Sequence, residues 1–296
     1  MKTKHILYRS LFISLLLIFM ACQEDDIDNS KSVITIDGSV ENEFDKYIQH
    51  IYTSPYNIKF LYRWEDIESD MNYALVPADY ENSIKMANMV KYLCLDAYEA
   101  VAPKNFLKRY FPKMIMMVGS PAYNNNNTMV LGTAEGGLKI TLYNINNLNV
   151  DDTEQLFKYY FRTIFHEFSH ILHQTKDYTT DFDRISATEY VGDSWSDAWE
   201  KKSCLEAGFI SDYSSKEANE DFVELIAHYI TKDTSTWAEM MDAAGAEGQA
   251  IINQKMEIVS SYLQEAWSID INALRAEVLS RTEKLGEQNL DNITIE

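Results

Sequence analysis

The stretch Glu154–Gln174, EQLFKYYFRTIFHEFSHILHQ, constrains this chain more than any other. Wound as an α-helix, it places Phe157, Phe161, Ile164, Phe168, Ile171 and Leu172 on one face, a stripe that must be buried against something. His166, His170 and His173 fall on the opposite face. Residues four apart on a helix lie one above the other, so His166 and His170 can turn one ring nitrogen each toward a single ion. Glu167, in the pentapeptide His166-Glu167-Phe168-Ser169-His170, lies to the side, within reach of a water on that ion. An amphipathic helix with solvated histidines has the same periodicity. The pattern becomes a site only with a further ligand.

Zinc held by two histidines wants a third protein ligand. His173 cannot share the ion with His166, because seven residues separate the two, roughly 10 Å along a helix axis. The metzincin continuation also fails: it needs glycine at 173 and histidine at 176, where His173 and Lys176 stand. Two acidic segments remain. Glu189 lies 19 residues beyond His170, near the spacing that thermolysin-like enzymes use. Glu220 and Glu224 lie in Ala218–Ile230, ANEDFVELIAHYI, a second amphipathic helix. Phe222, Val223, Leu225, Ile226, Tyr229 and Ile230 form its apolar face; Glu220, Glu224 and His228 stack on the other. Periodicity leaves both segments open, and leaves open a plain solvated face.

The N-terminus reads as targeting rather than fold. Lys2, Lys4 and Arg9 precede the apolar run Leu11–Met20, which is too short to span a bilayer as a helix. Ile18-Phe19-Met20-Ala21-Cys22 resembles a bacterial lipoprotein signal, with Phe19 where leucine is usual; an ordinary secretory signal is the other reading. On the lipoprotein reading, residues 1–21 are removed and Cys22 is lipidated. The acidic run Gln23–Ser30 begins a tether over 22–40 and resembles the surface-export signal of Bacteroidetes lipoproteins. Cell envelope, outer membrane and surface exposure are the expected location, with the Cys22 lipid as the membrane attachment.

The remaining 41–290 suit one domain. Hydrophobic residues make up 46% of the 296, enough for a sizeable core, and the net charge of −20 with no basic cluster argues against nucleic acid. Cys94 and Cys204 are too far apart in sequence for a metal pair and could be bridged or free. Helices are expected over Glu41–Ile51, Asp79–Val101, Trp237–Ala244, Ala246–Trp267 and Asp270–Gly286. Strands are expected over Tyr56–Trp64, Lys113–Gly119, Met129–Leu131 and Leu138–Tyr143, with Asn124–Asn127 a turn and Gly132–Gly137 a bulge or hairpin. Strands gather before the histidine helix and helices after it. The expected class is α+β: a small mixed sheet backing the histidine helix, followed by a mostly helical C-terminal lobe.

A resemblance goes further. Tyr213-Ser-Ser-Lys-Glu-Ala-Asn-Glu220-Asp-Phe-Val-Glu224 and HEFSH at 166–170 are similar to the two zinc-site segments of the anthrax lethal factor catalytic domain, over 154–230. With the lipoprotein signal and Gly132–Tyr143 (GTAEGGLKITLY), they resemble the zinc-binding metallopeptidase lipoproteins of Bacteroidetes, over residues 40–290. The resemblance implies a zincin-like metallopeptidase fold of gluzincin type and one Zn²⁺ ion held by His166, His170 and Glu220. It implies Glu167 as general base, Tyr213 as donor to the oxyanion, and Glu224 steadying a ligand histidine. The substrate would be a peptide or protein. In zincin-like folds an edge strand beside the active-site helix pairs with extended substrate; Leu138–Tyr143 is the expected strand, with Gly136-Gly137 admitting a close backbone. A plain core strand reads the same way. A surface lipoprotein that uses a zincin-like domain only for binding, beside nutrient uptake, is the alternative, although Glu167, the base it would not need, is present.

Overall fold

The computed structural model describes residues 41–70, 72–123, 129–130, 132–135 and 138–295. The leader at 1–21, Cys22, the tether at 22–40, the turn at Asn124–Asn127 and Gly136-Gly137 lie outside the described residues. The chain divides into two units, Met1–Glu41 and Asn42–Glu296, and the architecture below belongs to the second. Among the described residues, no helix is long and apolar enough to cross a membrane.

Asn42 starts helix α1 (Glu43–Ile48) with a reciprocal cap. Its side chain accepts from the Asp45 amide at 2.8 Å, and Asp45 Oδ2 accepts from the Asn42 amide at 2.8 Å. The helical path runs on through a wider turn, Gln49–Thr53, to Ser54–Tyr56, and stops at left-handed Asn57 (φ 58°). The strand expected over Tyr56–Trp64 is therefore shorter. Strand β1 is Lys59–Leu61, because Tyr56 has been taken into the helix, with its ring buried. The long helix expected at Asp79–Val101 is present as α2 (Tyr80–Met89), a wide turn over Val90–Leu95, and α3 (Asp96–Val101). Asp79 caps α2 by accepting from the Asn82 amide at 3.0 Å.

Strands β2 (Met114–Met117), β3 (Ala122–Tyr123), β4 (Met129–Val130), β5 (Gly132–Glu135) and β6 (Lys139–Leu142) follow. Four form a mixed sheet in the order β1-β2-β6-β5, while β3 and β4 make a separate antiparallel ribbon. The β1–β2 and β2–β6 pairs are parallel, with Ile115 between Phe60 and Ile140; β5–β6 is antiparallel, Gly132 opposite Leu142 and Glu135 opposite Lys139. Two open expectations are decided here. Of bulge and hairpin, the glycine-containing stretch makes the hairpin, with a strand of its own, β5, paired to β6. Of edge and core strand, Leu138–Tyr143 supplies the core strand, and the edge strands are β1 and β5. The reason is visible in β6, where Lys139, Ile140, Thr141 and Leu142 are all buried, the mark of a strand covered on both faces. Alternate residues of β2 serve two cores: Ile115 and Met117 face the large one, Met116 the smaller one with Leu61, Val118, Ala122 and Tyr143.

The histidine helix packs on the large core. It approaches through Thr153–Leu156 and a wide turn, Phe157–Phe161, and continues as α4 (Arg162–Thr175). Of the six stripe residues, five are buried and Phe157 is half-buried. Phe168, 0% exposed, touches Tyr98, Phe106 and Phe111 with ring centroids 5.1, 5.6 and 4.9 Å away. Truncating such a ring costs about 3–5 kcal/mol, a large part of a domain's stability, so the helix cannot rotate about its axis. Helix α5 (Ala218–Thr231) covers the opposite face of α4, so His166 and His173 are buried too.

Helix α6 (Thr234–Trp267) bends at Gly245, whose φ of 65° separates the two expected helices, and α7 (Ile271–Glu283) follows Asp270 as its cap. Cys94 and Cys204 are both free and buried, which settles their pairing. Asp221 of α5 and Lys255 of α6 form an ion pair at 2.6 Å, each side chain 1% exposed. Lys255 also donates to the Gly208 carbonyl at 2.8 Å, and Tyr190 donates to Asp221 at 3.0 Å. Burial opposes both charges, pushing Asp221 up to about 6 and Lys255 down. Lys255→Met strands a buried carboxylate and should cost about 3–5 kcal/mol in urea unfolding. Adding Asp221→Asn should recover much of that loss; an additive double variant would show that the pair does not bind the two helices.

Candidate metal centre

Helices α4 and α5 bring their polar faces together. The Glu220 Oε2 atom lies 3.2 Å from His166 Nε2 and 3.1 Å from His170 Nε2. The two imidazole rings stand 4.8 Å apart at 77°, as an i, i+4 pair on one helix face requires. Glu167 completes the group: donor atoms of His166, Glu167 and His170 lie within 4.8 Å of one another. Glu189 is elsewhere. It is exposed, with the Thr188 hydroxyl 3.3 Å from its carboxylate, so of the two acidic candidates it is Glu220 that meets both histidines.

The second oxygen of Glu220 is held by two donors. Tyr213, in the turn Tyr213–Ser215, donates to Oε1 at 2.8 Å, and Lys216 donates to the same oxygen at 3.3 Å. Lys216 also lies 3.3 Å from the Tyr213 hydroxyl, and Trp195 meets the Tyr213 ring edge-on at 5.0 Å. Glu224, one turn beyond Glu220, places Oε1 2.8 Å from His166 Nδ1 and accepts at Oε2 from Ser211 at 2.6 Å. His228 Nε2 lies 3.3 Å from Glu224 Oε2 but is not aligned for a hydrogen bond. His173 Nε2 sits 3.0 Å from His170 Nδ1.

Charge follows from these contacts. Burial opposes a proton on His166, yet hydrogen bonds to Glu220 and Glu224 outweigh it and push its pKa up to about 10. Burial likewise raises Glu220 and Glu224, and their histidine partners more than reverse this, holding both carboxyls well below the usual range. Burial raises Glu167, and the neighbouring histidines offset only part of that. His173 is pushed down to about 4 by burial and then by His170.

The donor set suits zinc. Two imidazole nitrogens and one carboxylate oxygen are a common catalytic zinc set, and a tetrahedron with bonds of ~2.0–2.1 Å has edges of about 3.3–3.4 Å. The observed 3.1 and 3.2 Å separations from Glu220 Oε2 are close to such edges. Lys216 and Ser211 were not expected in this cluster, whereas His228 was expected on the polar face with Glu220 and Glu224. Lys216 had a signal, four residues before Glu220; Ser211 had none, since its contact depends on how the loop folds back.

A helix-borne His-Glu-x-x-His group, backed by a small mixed sheet and faced by an acidic helix, defines a metallopeptidase-type domain. The comparisons name the family: a model described as "Putative zinc-binding metallo-peptidase" matches residues 38–272, so the chain belongs to it. A crystal structure from Bacteroides caccae ATCC 43185, described as "a putative zinc-binding metallo-peptidase", is similar at 36% identity with a TM-score of 0.74. The match covers 85% of this chain and 96% of that one. No curated protein matches.

Two measurements test the centre. In competition with a chromophoric chelator, Glu220→Gln should lose zinc affinity by more than about 10-fold, while Glu189→Gln should bind as the wild type does. The reverse ranking would move the third ligand to Glu189. In chelator-treated protein, the stability contributed by His166 is complete below its unfolded value of 6.5, and is lost as pH rises through its folded value of about 10. Urea midpoints should therefore fall between pH 7 and 10; a flat profile would mean that His166 is not clamped by the two carboxylates.

Proposed function

We propose that this protein is a zinc-dependent endopeptidase of gluzincin type, with one Zn²⁺ held by His166, His170 and Glu220. One observation carries the reading: a single oxygen of Glu220 meets both histidine Nε2 atoms, with Glu167 beside them. The chemistry zinc supplies when bound is polarisation of a carbonyl and acidification of water. Glu167 takes a proton from the attacking water and hands it to the leaving amine. Its raised pKa suits that role, since a base closer to neutral both accepts and returns a proton readily.

Tyr213 donates to the oxyanion as charge develops there. Its hydroxyl carries one proton, given to Glu220 Oε1 at rest, so the donation requires a switch of partner. Glu224 fixes the ring of His166 through Nδ1. The extended substrate pairs along β5, the edge strand in contact with α4, with β6 behind it. The leader and Cys22 support attachment of the enzyme to the cell envelope by lipid, with the acidic tether directing it to the outer surface.

Glu167→Gln should keep stoichiometric zinc and cleave an unfolded protein substrate at least about 10²-fold more slowly than the wild type. Tyr213→Phe should lower kcat by about 10²-fold, also with zinc retained. Equal cleavage by the wild type and Glu167→Gln would sink the mechanism. Zinc uptake with no cleavage by either would favour a binding module instead.

A further inference from the structure

His173 falls outside the set just assigned, yet it is buried and touches one of that set's members. His170 turns Nε2 toward Glu220, which leaves Nδ1 on the far side of its ring, 3.0 Å from His173 Nε2. A neutral imidazole has one N–H and one lone pair. If Nε2 of His170 gives its lone pair to an ion, the hydrogen must be on Nδ1, and that hydrogen needs an acceptor. His173 Nε2 is at hydrogen-bond distance, so it must offer its lone pair and carry its own hydrogen on Nδ1.

The helix makes this contact natural. Side chains on a helix lean toward its N-terminus, and residues three apart are neighbours, so His173 reaches back onto His170. Its ring is held in turn by the edges of Tyr178 and Phe222, with centroids 5.6 and 6.4 Å away. The stacked pair Tyr178–Phe222, 4.0 Å apart, makes that wall rigid. A side chain locked by packing is what a supporting contact needs.

We propose that His173 is a positioning residue for His170, doing with a neutral imidazole what Glu224 does for His166 with a carboxylate. The inference rests on the reading of His166, His170 and Glu220 as zinc ligands. The third histidine is thus too far along the helix to share the ion with His166, and it acts on the site through the ring it touches. The two ligand histidines also differ: the carboxylate partner strengthens His166 as a donor, whereas His173 fixes direction with little added charge.

The test compares zinc dissociation constants of the wild type, His173→Leu, His173→Phe and His173→Gln, by competition with a chromophoric chelator. Unfolding midpoints of the chelator-treated proteins are measured alongside. Leucine and phenylalanine remove the acceptor, and glutamine can place an oxygen where Nε2 stands. Either apolar variant that folds should bind zinc about 10–100-fold more weakly, a range typical of lost support behind a ligand. Glutamine should restore most of the affinity, and the Co²⁺ absorption bands of the apolar variants should shift while those of the glutamine variant do not. Wild-type affinity in an apolar variant would overturn the proposal, as would equal weakening by glutamine. A wild type that takes up no zinc would instead overturn the ligand assignment on which the proposal stands.

Discussion

Two carboxylates taken out of water at one helix interface govern this part of the molecule. Glu220 and Glu224 are 8% and 7% exposed, and a carboxylate removed from water costs several kcal/mol unless charge and hydrogen bonds replace its hydration. Their oxygens are met by His166, His170, Tyr213, Lys216 and Ser211. That requirement explains the path of the chain before α5. The turn Tyr213–Ser215 and Ser211 fold back over the helix N-terminus because donors are needed there. The neighbouring Asp221 has the same difficulty on the next face and resolves it with Lys255, which ties α6 to the same helix. Packing on the apolar side of α4 sets where the histidines point, and the demands of the acids set what must surround them.

Much of this was legible because it is periodic. The apolar stripe of Glu154–Gln174 and the four-residue spacing of Glu220, Glu224 and His228 in Ala218–Ile230 are helix patterns, and a glycine between two such patterns marked the bend at Gly245. The zinc-binding metallopeptidase family inferred from the motif segments is the family that the comparisons show. What periodicity could not supply is what lies on the far side of an element. Periodicity alone left a solvated polar face on α4 open, and α5 covers that face. In the same way the sequence left β6 open between an edge and a core strand, and its four buried residues make it the core strand.

Strand order was harder still. Parallel neighbours are joined by long crossovers, so nothing local in Lys59–Leu61 announces that it lies beside Met114–Met117. The helical path through the wide turn at Gln49–Thr53 takes in Ser54–Tyr56, with Pro55 at its start, and the change of course comes only at left-handed Asn57, so the strand begins later than Tyr56. Part of the side-chain support was legible, since Glu224 behind a histidine came with the resemblance, and the rest was hidden for a related reason. Ser211 and Lys216 carry ordinary side chains at positions whose meaning depends on a carboxylate placed by tertiary packing. His173 stood in plain view, and its spacing from His166 excluded it as a shared ligand without revealing that it backs His170.

The contacts of Glu220 Oε2 with the two histidine Nε2 atoms call for protons on the rings, and this bears on how an ion would enter. In small zinc modules the metal organises an otherwise unfolded chain, so binding energy and folding energy are the same quantity. Here the helices are held by Phe168 on one side and by the Asp221–Lys255 pair beyond, neither of which involves the donors. Zinc would displace protons from groups already within a few tenths of an ångström of a tetrahedral edge. Its affinity would then be set by that proton exchange and by the stiffness of the rings behind the donors. On this view Glu224 and His173 matter as much as the three proposed ligands, since each prevents a ring from turning away when its proton leaves.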